Sequence, residues 1–563
     1  MAETTSPAVA AARNRKEMIL SRRAIEGMIA EGKNIFIFEN RVIKADAWMK
    51  FHPGGPKAIQ HMVGRDATDE INALHSKEAR QHMLSFQIGR IEGRWTNFLP
   101  PIQGGQFRPY NKDEDCTEDS DSSSQESSRP SSPIFDEADE KSGLRRRKST
   151  STTISSVSST PPEEGQKFEP RPFFLDARTQ EEIILDISKY PPLDAARQES
   201  IREKYRALDQ RIRAEGLYNC NYFCYFIECC RYTLFAALAY FFLRLGWYGT
   251  SGFFLGCFWH QLVFTAHDAG HMGITHNFHV DTVIGIIIAD FLGGLSLGWW
   301  KRNHNVHHIV TNSAEHDPDI QHMPFFAISH RFLTNLRSTY YERIMQFDAA
   351  AQLLLKYQDY LYYPILLFGR FNLYRLSWEY LLLGQAPKKG PAWWHRWLEI
   401  AGQIFFWIWF GYGVIYCSIP DWRNRVLFIL ISHMVTAPLH VQITLSHFAM
   451  STADLGVHES FPQRMLRTTM DVDCPTWLDF FHGGLQFQAI HHLYPRIPRH
   501  NLRRTQKLVM EFCRETGIPY AIFTFVDGNK EVISRLGDVA KQVRILEECR
   551  KVCAKEGVFS GHH

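Results

Sequence analysis

The sequence predicts an α-helical integral membrane domain behind a small soluble α+β domain. Two long apolar hairpins, 232–266 and 399–445, predict four transmembrane helices, because each contains two runs near the ~17 to 25 residues that span a bilayer. Histidines in helical spacing recur beside these hairpins and predict a metal-binding cap. Near the N-terminus, the segment NIFIFENRVI alternates like a pair of strands, which predicts the soluble domain.

Composition divides the 563 residues into segments of different character. A stretch rich in Ser, Pro and acidic residues has almost nothing to bury and is predicted to be a disordered linker. The predicted segments are an N-terminal extension (1–19), the α+β domain (20–97), the linker (98–169), an amphipathic cytosolic segment (170–219), the membrane domain (220–520) and a C-terminal cytosolic tail (521–563).

Charge and cysteine usage exclude several classes of protein. The 63 basic and 60 acidic residues leave a net charge of +3, which argues against a nucleic-acid partner. Eleven cysteines form no CxxC pair and no regular framework, so we expect reduced thiols. The first residues lack the apolar core of a secretory signal, so we expect a cytosolic N-terminus.

The short hairpin turns predict the orientation of the membrane domain. Each hairpin returns to the side that it left, so both termini and all histidine clusters are predicted to face the cytosol. A third apolar stretch, 282–300, is long enough to cross, but crossing would place its flanking histidine clusters on opposite faces. We therefore predict that this stretch and 360–371 lie in the membrane interface as interfacial helices.

Two histidines of the soluble domain are candidate haem ligands. In FHPGGP, a proline with fixed φ and two permissive glycines hold His52 rigidly. His75 follows in DATDEINALHS, and two imidazoles on opposite faces of a haem would leave no open position, which suits electron transfer. His61 lies nearer in sequence, and spacing alone leaves it as an alternative.

Three clusters in the membrane domain point to a metal centre. Their i, i+3 and i+4 spacings direct imidazoles into a common space. Seven histidines exceed what one tetrahedral zinc uses and no cysteine joins them, so two iron ions are predicted, a di-iron centre. His447 is a candidate eighth ligand or an interfacial histidine. The clusters are HDAGH (His267, His271), HNVHH (His304, His307, His308) and QAIHH (Gln488, His491, His492), while His276, His279, His316 and His322 are predicted to be supporting or surface residues.

These motifs resemble known families. The segment from NIFIFENRVI through FHPGGP to INALHS resembles the cytochrome b5 family, which implies that His52 and His75 are the axial ligands of haem b. The three histidine clusters resemble the membrane fatty-acyl desaturase and hydroxylase superfamily over roughly 220–510. A third cluster that begins with glutamine, joined to a cytochrome b5 domain, is typical of front-end desaturases. WWKRNHNVHHIVTNSAEHDPDIQHMPFF and GLQFQAIHHLYPRIPRHNLR look most like fungal Δ8 sphingolipid desaturases.

The resemblance implies an activity and its partners. Such an enzyme introduces a trans double bond at C8 of the sphingoid base of ceramide, with O2 as co-substrate and a di-iron centre at the endoplasmic reticulum membrane. Electrons would come from NADH–cytochrome b5 reductase through the fused haem. The alternatives are a Δ5 or Δ6 fatty-acyl desaturase, a hydroxylase on the same scaffold and a non-catalytic haem-binding scaffold. Gln488 would present a carbonyl oxygen to iron or hydrogen-bond a metal-bound water.

Overall fold

The computed structural model describes residues 16–110 and 173–555. Most of the predicted extension (1–19) and linker (98–169) lies outside these ranges. The last residues of the predicted tail, 556–563, also lie outside them.

The soluble domain contains a three-stranded antiparallel sheet in the order β1 (Ile35–Phe38), β2 (Arg41–Lys44) and β3 (Gln87–Arg90). The first two strands form the hairpin predicted from NIFIFENRVI, which is confirmed. Its two turn residues, Glu39 and Asn40, both have positive φ, as two-residue hairpin turns that match the strand twist require.

Strand β1 is buried on both faces, although its sequence pattern suggested a strand with one exposed face. All four residues of β1 are buried. Ile35 and Ile37 contact one apolar cluster of the soluble domain. Phe36 and Phe38 contact a second cluster, which also contains Val306 of the membrane domain. The sheet is therefore covered on both faces, and the membrane domain supplies part of one cover.

Short helices surround this sheet. Ser21 and Ser76 begin two of them by accepting a hydrogen bond from the backbone N–H three residues on, which satisfies an otherwise unpaired donor. In the described part of the domain the α-helices are α1 (Arg22–Ala30), α2 (Pro56–Gln60), α3 (Thr68–Leu74) and α4 (Lys77–Met83).

The membrane domain begins with α5 (Phe173–Lys189) and α6 (Ala195–Ala214), which lie in the predicted amphipathic segment. Within the described ranges, three helical stretches are long and apolar enough to cross a bilayer, namely Tyr222–Arg244, His395–Ser418 and Trp422–Phe448. The last two lie in the predicted second hairpin. The helices that form these stretches are α7 (Tyr222–Arg244), α14 (His395–Phe406) with a π-helical continuation (Trp407–Ser418), α15 (Trp422–Met434) and α16 (Ala437–Phe448).

Two further elements differ from the simple four-helix expectation. Helix α8 (Tyr248–Gly270) has 23 residues, but it is not among the stretches apolar enough to cross, and His260, Gln261 and Asp268 interrupt its apolar run. The stretch predicted to lie in the interface forms a bent pair. Helix α9 (Phe278–Ile286) with its π-helical extension meets α10 (Leu297–Ile309) at 119°, which describes a broken span or a re-entrant loop.

Small residues let α8 pack closely on its neighbours. It lies between α7 and α15. A Cβ atom at Gly256 would lie 2.6 Å from Cβ of Val435 and 2.7 Å from the carbonyl oxygen of Ser432. Close backbone approach of this kind is how helices associate where the hydrophobic effect contributes little. The contact positions the C-terminal end of α8, where the first histidine cluster lies.

The remaining elements form the cap. A β-hairpin consists of β4 (Leu336–Ser338) and β5 (Arg343–Met345), and β6 (Asp471–Asp473) pairs in parallel with β7 (Ile522–Thr524). The helices are α11 (Ala349–Leu355), α12 (Gln358–Leu366), α13 (Gly369–Leu382), α17 (Phe461–Thr468), α18 (Asp479–His482), α19 (Gln488–Leu493), α20 (Arg499–Thr516) and α21 (Phe525–Lys555).

The C-terminal segment is built into this cap. Strand β7 extends the sheet of β6, and α21 packs on α12 and α16. Val532 and Leu536 of α21 are fully buried in the same core as Phe448. The segment after residue 520, which we expected to be a tail, therefore supports the helix that carries His447.

Candidate haem and metal centres

The histidine clusters lie at the ends of three helices that meet in the cap. His267 lies in the last turn of α8, and His271 follows that helix. Helix α10 carries the second cluster in its C-terminal half, and α19 carries the third. Two glycines with positive φ, Gly483 and Gly484, precede α19 and turn the chain into it.

The structure separates the histidines into two groups. Within each group the candidate ligand atoms all lie within 4.8 Å of one another. Rings from different clusters are in contact; for example, the centroids of His267 and His491 are 4.5 Å apart, and those of His307 and His447 are also 4.5 Å apart. The first group is His267, His271, His304 and His491, and the second is His307, His447 and His492; a further group, His304, His307 and Asp319, shares one histidine with each of them.

His308 lies between the two groups. Its ring centroid is 4.8 Å from that of His271 in the first group and 4.2 Å from that of His492 in the second. The two groups equal in number the two metal ions predicted from the sequence, which stay a prediction. His447 lies in the second group, among the clustered histidines, and is only 4% exposed.

The unpaired nitrogen atoms of these rings suit metal ions. Burial and neighbouring histidines hold the pKa of His491 and His492 well below the usual value, so both imidazoles are neutral, as metal ligation requires. Buried nitrogens with no hydrogen-bond partner in the described chain are expensive unless something else binds them. They are Nε2 of His271, His491 and His492 and Nδ1 of His308 and His447.

Two carboxylates that sequence reasoning missed hold the second cluster. Nδ1 of His307 donates to Asp317 at 2.8 Å, and Nδ1 of His304 faces Asp319 at 3.3 Å. Such carboxylates fix the tautomer and direction of a ligating imidazole. The motif HDPD, which begins eight residues after His308, was the available signal.

The supporting histidines named from the sequence do not join either group. His316 contacts His61, with ring centroids 5.3 Å apart. His322 lies against Phe448, and His279 lies beside His395. The remaining one, His276, hydrogen-bonds the carbonyl groups of Met272 and Tyr218.

Gln488 is the first residue of α19 and only 3% exposed. Its side-chain oxygen Oε1 is buried and has no hydrogen-bond partner among the residues described. The adjacent backbone N–H, of Ala489, donates to Asp471 at 2.8 Å and holds the start of the helix. A buried carbonyl oxygen without a donor fits a nearby cation or metal-bound water.

A tryptophan, also missed from the sequence, closes one side of the first group. The ring of Trp300 stacks on His304 with centroids 4.5 Å apart, and it meets His267 and His271 edge to face. A Cβ atom at Gly270 would lie 2.1 Å from this indole. Because Gly270 has no side chain, the ring of Trp300 can lie against the histidines of the first group.

In the soluble domain, His52 and His75 face each other. Their ring centroids are 6.0 Å apart, which suits two imidazoles on opposite sides of one metal at bond lengths near 2 Å. Nδ1 of His52 donates to the carbonyl of Gly55 at 2.9 Å, which leaves Nε2 free to bind. Burial and the neighbouring His52 lower the pKa of His75 to about 3, so it stays neutral. The alternative, His61, faces Gln103 and His316 instead.

The candidate haem site lies directly against the helix that carries the second cluster. Val306 and Ile309 of α10 are buried in the core of the soluble domain. A Cβ atom at Gly54, two residues after His52, would lie 2.8 Å from the side-chain amide of Asn305. Nη1 of Arg496, four residues beyond the third cluster, donates to the carbonyl oxygen of His75 at 2.9 Å.

Ion pairs reinforce this contact. Arg206 of α6 pairs with Asp69 at 2.7 Å, and Arg464 of α17 pairs with Glu70 at 3.4 Å. Both acids are about 95% buried in the contact between the domains. The acidic residues beside the candidate haem site are therefore paired within the chain.

The fold and these sites define a membrane desaturase with a fused cytochrome b5 domain. The family described as Fatty acid desaturase matches residues 245–524, and the Cytochrome b5-like Heme/Steroid binding domain matches residues 26–92. The chain belongs to the fungal delta 8-(E)-sphingolipid desaturase family.

Relatives of that name match nearly the whole chain. The Delta 8-(E)-sphingolipid desaturase of Emericella nidulans is 76% identical over 97% of this chain and 99% of the relative. That of Kluyveromyces lactis is 49% identical over 97% and 96%. A Delta(8)-fatty-acid desaturase of Helianthus annuus is 38% identical over only 53% of this chain and 63% of the relative. The predicted class, an oxidoreductase of the desaturase type, is confirmed.

Proposed function

We propose that this chain introduces the trans double bond at C8 of the sphingoid base of ceramide. One observation carries the proposal: two histidine groups suited to two metal ions lie beside a paired-histidine haem site on the opposite side of α10. The sphingolipid desaturases resemble the chain along its whole length, whereas the fatty-acid desaturase resembles half of it. This contrast favours ceramide over the Δ5 or Δ6 fatty-acyl alternative.

The two histidine groups are the proposed ligands of two iron ions. Bound iron would supply the activation of O2 that removal of hydrogen from an unactivated carbon chain requires. The protein's part is to hold the imidazoles in the correct orientation and tautomer, which Asp317 and Asp319 do for His307 and His304. Gln488 is proposed to present Oε1 to this centre, and Trp300 to exclude water from it.

His52 and His75 are the proposed axial ligands of haem b. A haem held between His52 and His75 would have no position open to oxygen and would supply electron transfer. The hydrogen bond from Arg496 to the carbonyl of His75 connects this site to the chain that follows the third cluster, and the close approach of Gly54 to Asn305 brings the site against the helix of the second cluster. NADH–cytochrome b5 reductase is the proposed source of the electrons.

The proposed setting is the endoplasmic reticulum membrane, with both termini and the metal centre cytosolic. We assign four crossings, to α7, α8, α14 with its π-helical continuation, and α15–α16. Helix α8 would cross because α7 and α15 shield its polar residues from lipid. The bent pair would enter and leave on the cytosolic side, since its outer end carries the second cluster to the ends of α8 and α16.

Expression in a yeast that lacks Δ8-unsaturated bases tests the proposal. Mass spectrometry of its ceramides should find the new E double bond at C8 with the wild-type chain and none with His271→Ala at equal membrane expression. A C8 hydroxyl product would favour the hydroxylase alternative. Altered fatty acyl chains with unchanged sphingoid bases would overturn the proposal.

A further inference from the structure

A small, partly enclosed cavity lies where α9, α10, α13 and α14 meet Pro53 of the soluble domain. Its volume is about 30 Å³, and the polar side chains in its lining are Thr282, Lys301, Tyr380, His395, Arg396 and Glu399. A buried water needs roughly 10–15 Å³ on such a measure, so the space admits about two small polar groups. The cavity is separate from the histidine groups described above.

The side chains around this cavity are buried but have unused hydrogen-bonding capacity. Glu399 is 2% exposed, and only its Oε2 accepts described hydrogen bonds, from Ser296 and from Gly298 N–H at 3.0 Å. The Tyr380 hydroxyl hydrogen-bonds no described residue. Lys301 is 8% exposed and forms no ion pair within the described chain; its Nζ has a long contact of 3.5 Å to Thr282 and lies 5.2 Å from the centre of the Phe278 ring. Burial of polar or charged groups without enough hydrogen-bond partners costs free energy, unless a ligand or a water molecule supplies the missing partners.

The absence of a side chain at Gly298 keeps these groups together. A Cβ atom there would lie 2.5 Å from Oε1 of Glu399 and 2.7 Å from the Tyr380 hydroxyl. Both polar atoms therefore point toward the same side of α10. The carboxylate can accept a hydrogen bond, Lys301 can donate one, and the tyrosine can do either.

From these contacts, and on the basis of the proposed function, we propose that this cavity binds the two hydroxyl groups of the ceramide head. Ceramide carries hydroxyls at C1 and C3 of its base, and these two small polar groups match a cavity of this size beside a donor and an acceptor. The cavity also lies at the first turn of α14, where a candidate span begins, so it is at the level expected for a lipid head group. The Glu399 carboxylate disfavours a phosphorylated head group.

The position of the cavity also fits the position of the double bond. Lys301 and Gly298 precede His304 by three and six residues on one helix, or about 4.5 and 9 Å along its axis. Five carbon–carbon bonds separate the C3 hydroxyl carbon from C8, an extended span of about 6 Å from bond lengths near 1.5 Å. The extended C3–C8 span falls within this range, so holding the head here would bring C8 within reach of the histidine groups.

Analogue selectivity of the purified holoenzyme in lipid nanodiscs tests this site. We expect the wild type to prefer ceramide over an analogue without the C1 or the C3 hydroxyl. Tyr380→Phe should reduce one of these kcat/KM ratios about three- to tenfold, the effect of one neutral hydrogen bond. Lys301→Met is a second variant, and it leaves in place the hydrogen bonds that Glu399 accepts from Ser296 and from Gly298 N–H. Tyr374→Phe is the matched control, since that hydroxyl on the same helix hydrogen-bonds Arg370 and His433.

The outcomes separate this inference from the proposed function. Unchanged ratios in both Tyr380→Phe and Lys301→Met, with normal iron content and haem spectrum, would overturn the head-group site. An equal fall in Tyr374→Phe would also overturn it, because the effect would then be general to α13. If the wild-type protein forms no C8 double bond in any ceramide, the proposed function itself fails. Efficient use of ceramide 1-phosphate would exclude the neutral head group that we assign.

Discussion

At the scale of single residues, atoms without partners carry most of the functional information. The unpaired nitrogens of the histidine groups and the unpaired oxygen of Gln488 are buried where an unsatisfied polar atom is costly. Spacing alone predicted which histidines would share a face, because the i, i+3 and i+4 positions of one helix are adjacent. It could not predict Asp317 or Asp319, whose contacts depend on a turn after α10.

Gln488→Ala should lose most desaturase activity at near-normal membrane expression, because it removes the buried, unpartnered oxygen that we propose as a contact of the metal centre. Gln488→His, which keeps position and direction, should retain more of the activity. The measurement is C8-unsaturated ceramide per unit of protein. Wild-type turnover in Gln488→Ala would return the residue to a packing role.

Asp317→Asn should lower iron affinity or turnover about 10- to 100-fold, as loss of a carboxylate behind a ligating histidine typically does. The amide keeps the shape but no longer fixes the His307 tautomer at 2.8 Å. Iron content by elemental analysis, together with turnover, gives the readout. Asp538→Asn on α21, where the acid has an exposed ion pair with Lys541, is the control. Equal iron content and turnover in Asp317→Asn and the wild type would contradict the assignment.

At the scale of helices and strands, the sequence predicted elements better than their contacts. The hairpin of β1 and β2 and the second apolar hairpin follow from periodicity and length. The burial of both faces of β1 did not follow, because Val306 covers one face from more than 250 residues away. For the same reason α21 appeared to be a tail, although Val532 and Leu536 belong to the core that supports α16.

Arg496→Gln should slow electron transfer from the haem to the metal centre about fivefold, because it weakens the hydrogen bond to the carbonyl of His75. Reduction of the haem by NADH and reductase should keep its wild-type rate. Stopped-flow absorbance, with and without ceramide and O2, separates the two steps. Arg514→Gln on α20 is a control away from this contact. Slower reduction with unchanged reoxidation would contradict the role given to Arg496.

At the scale of the whole molecule, the candidate haem site and the histidine groups are both built on helix α10. This helix contributes histidines to the two groups and apolar side chains to the core of the soluble domain. Fusion in one chain keeps the local concentration of the donor high, and the ion pairs of Asp69 and Glu70 define one docked orientation. This orientation could not be predicted from the sequence, since it depends on pairings between residues hundreds of positions apart.

His52→Ala should abolish haem binding and C8 desaturation while the membrane domain keeps its fold, because the soluble domain has its own apolar cores. The test uses cells without free cytochrome b5 and records the haem spectrum, thermal unfolding and ceramide products. His82→Ala, in the same domain but outside the facing pair, is the control. Full activity in His52→Ala would rule out the fused haem as electron donor.

The hydrogen bond from Arg496 to the carbonyl of His75 connects the candidate haem site to the contact between the two domains. With haem bound at His52 and His75, loss of this hydrogen bond would let the imidazole of His75 change its tilt. A changed tilt would alter the paramagnetic resonance of the oxidised haem without any change of ligand. That signal would then report whether the soluble and membrane domains are in contact.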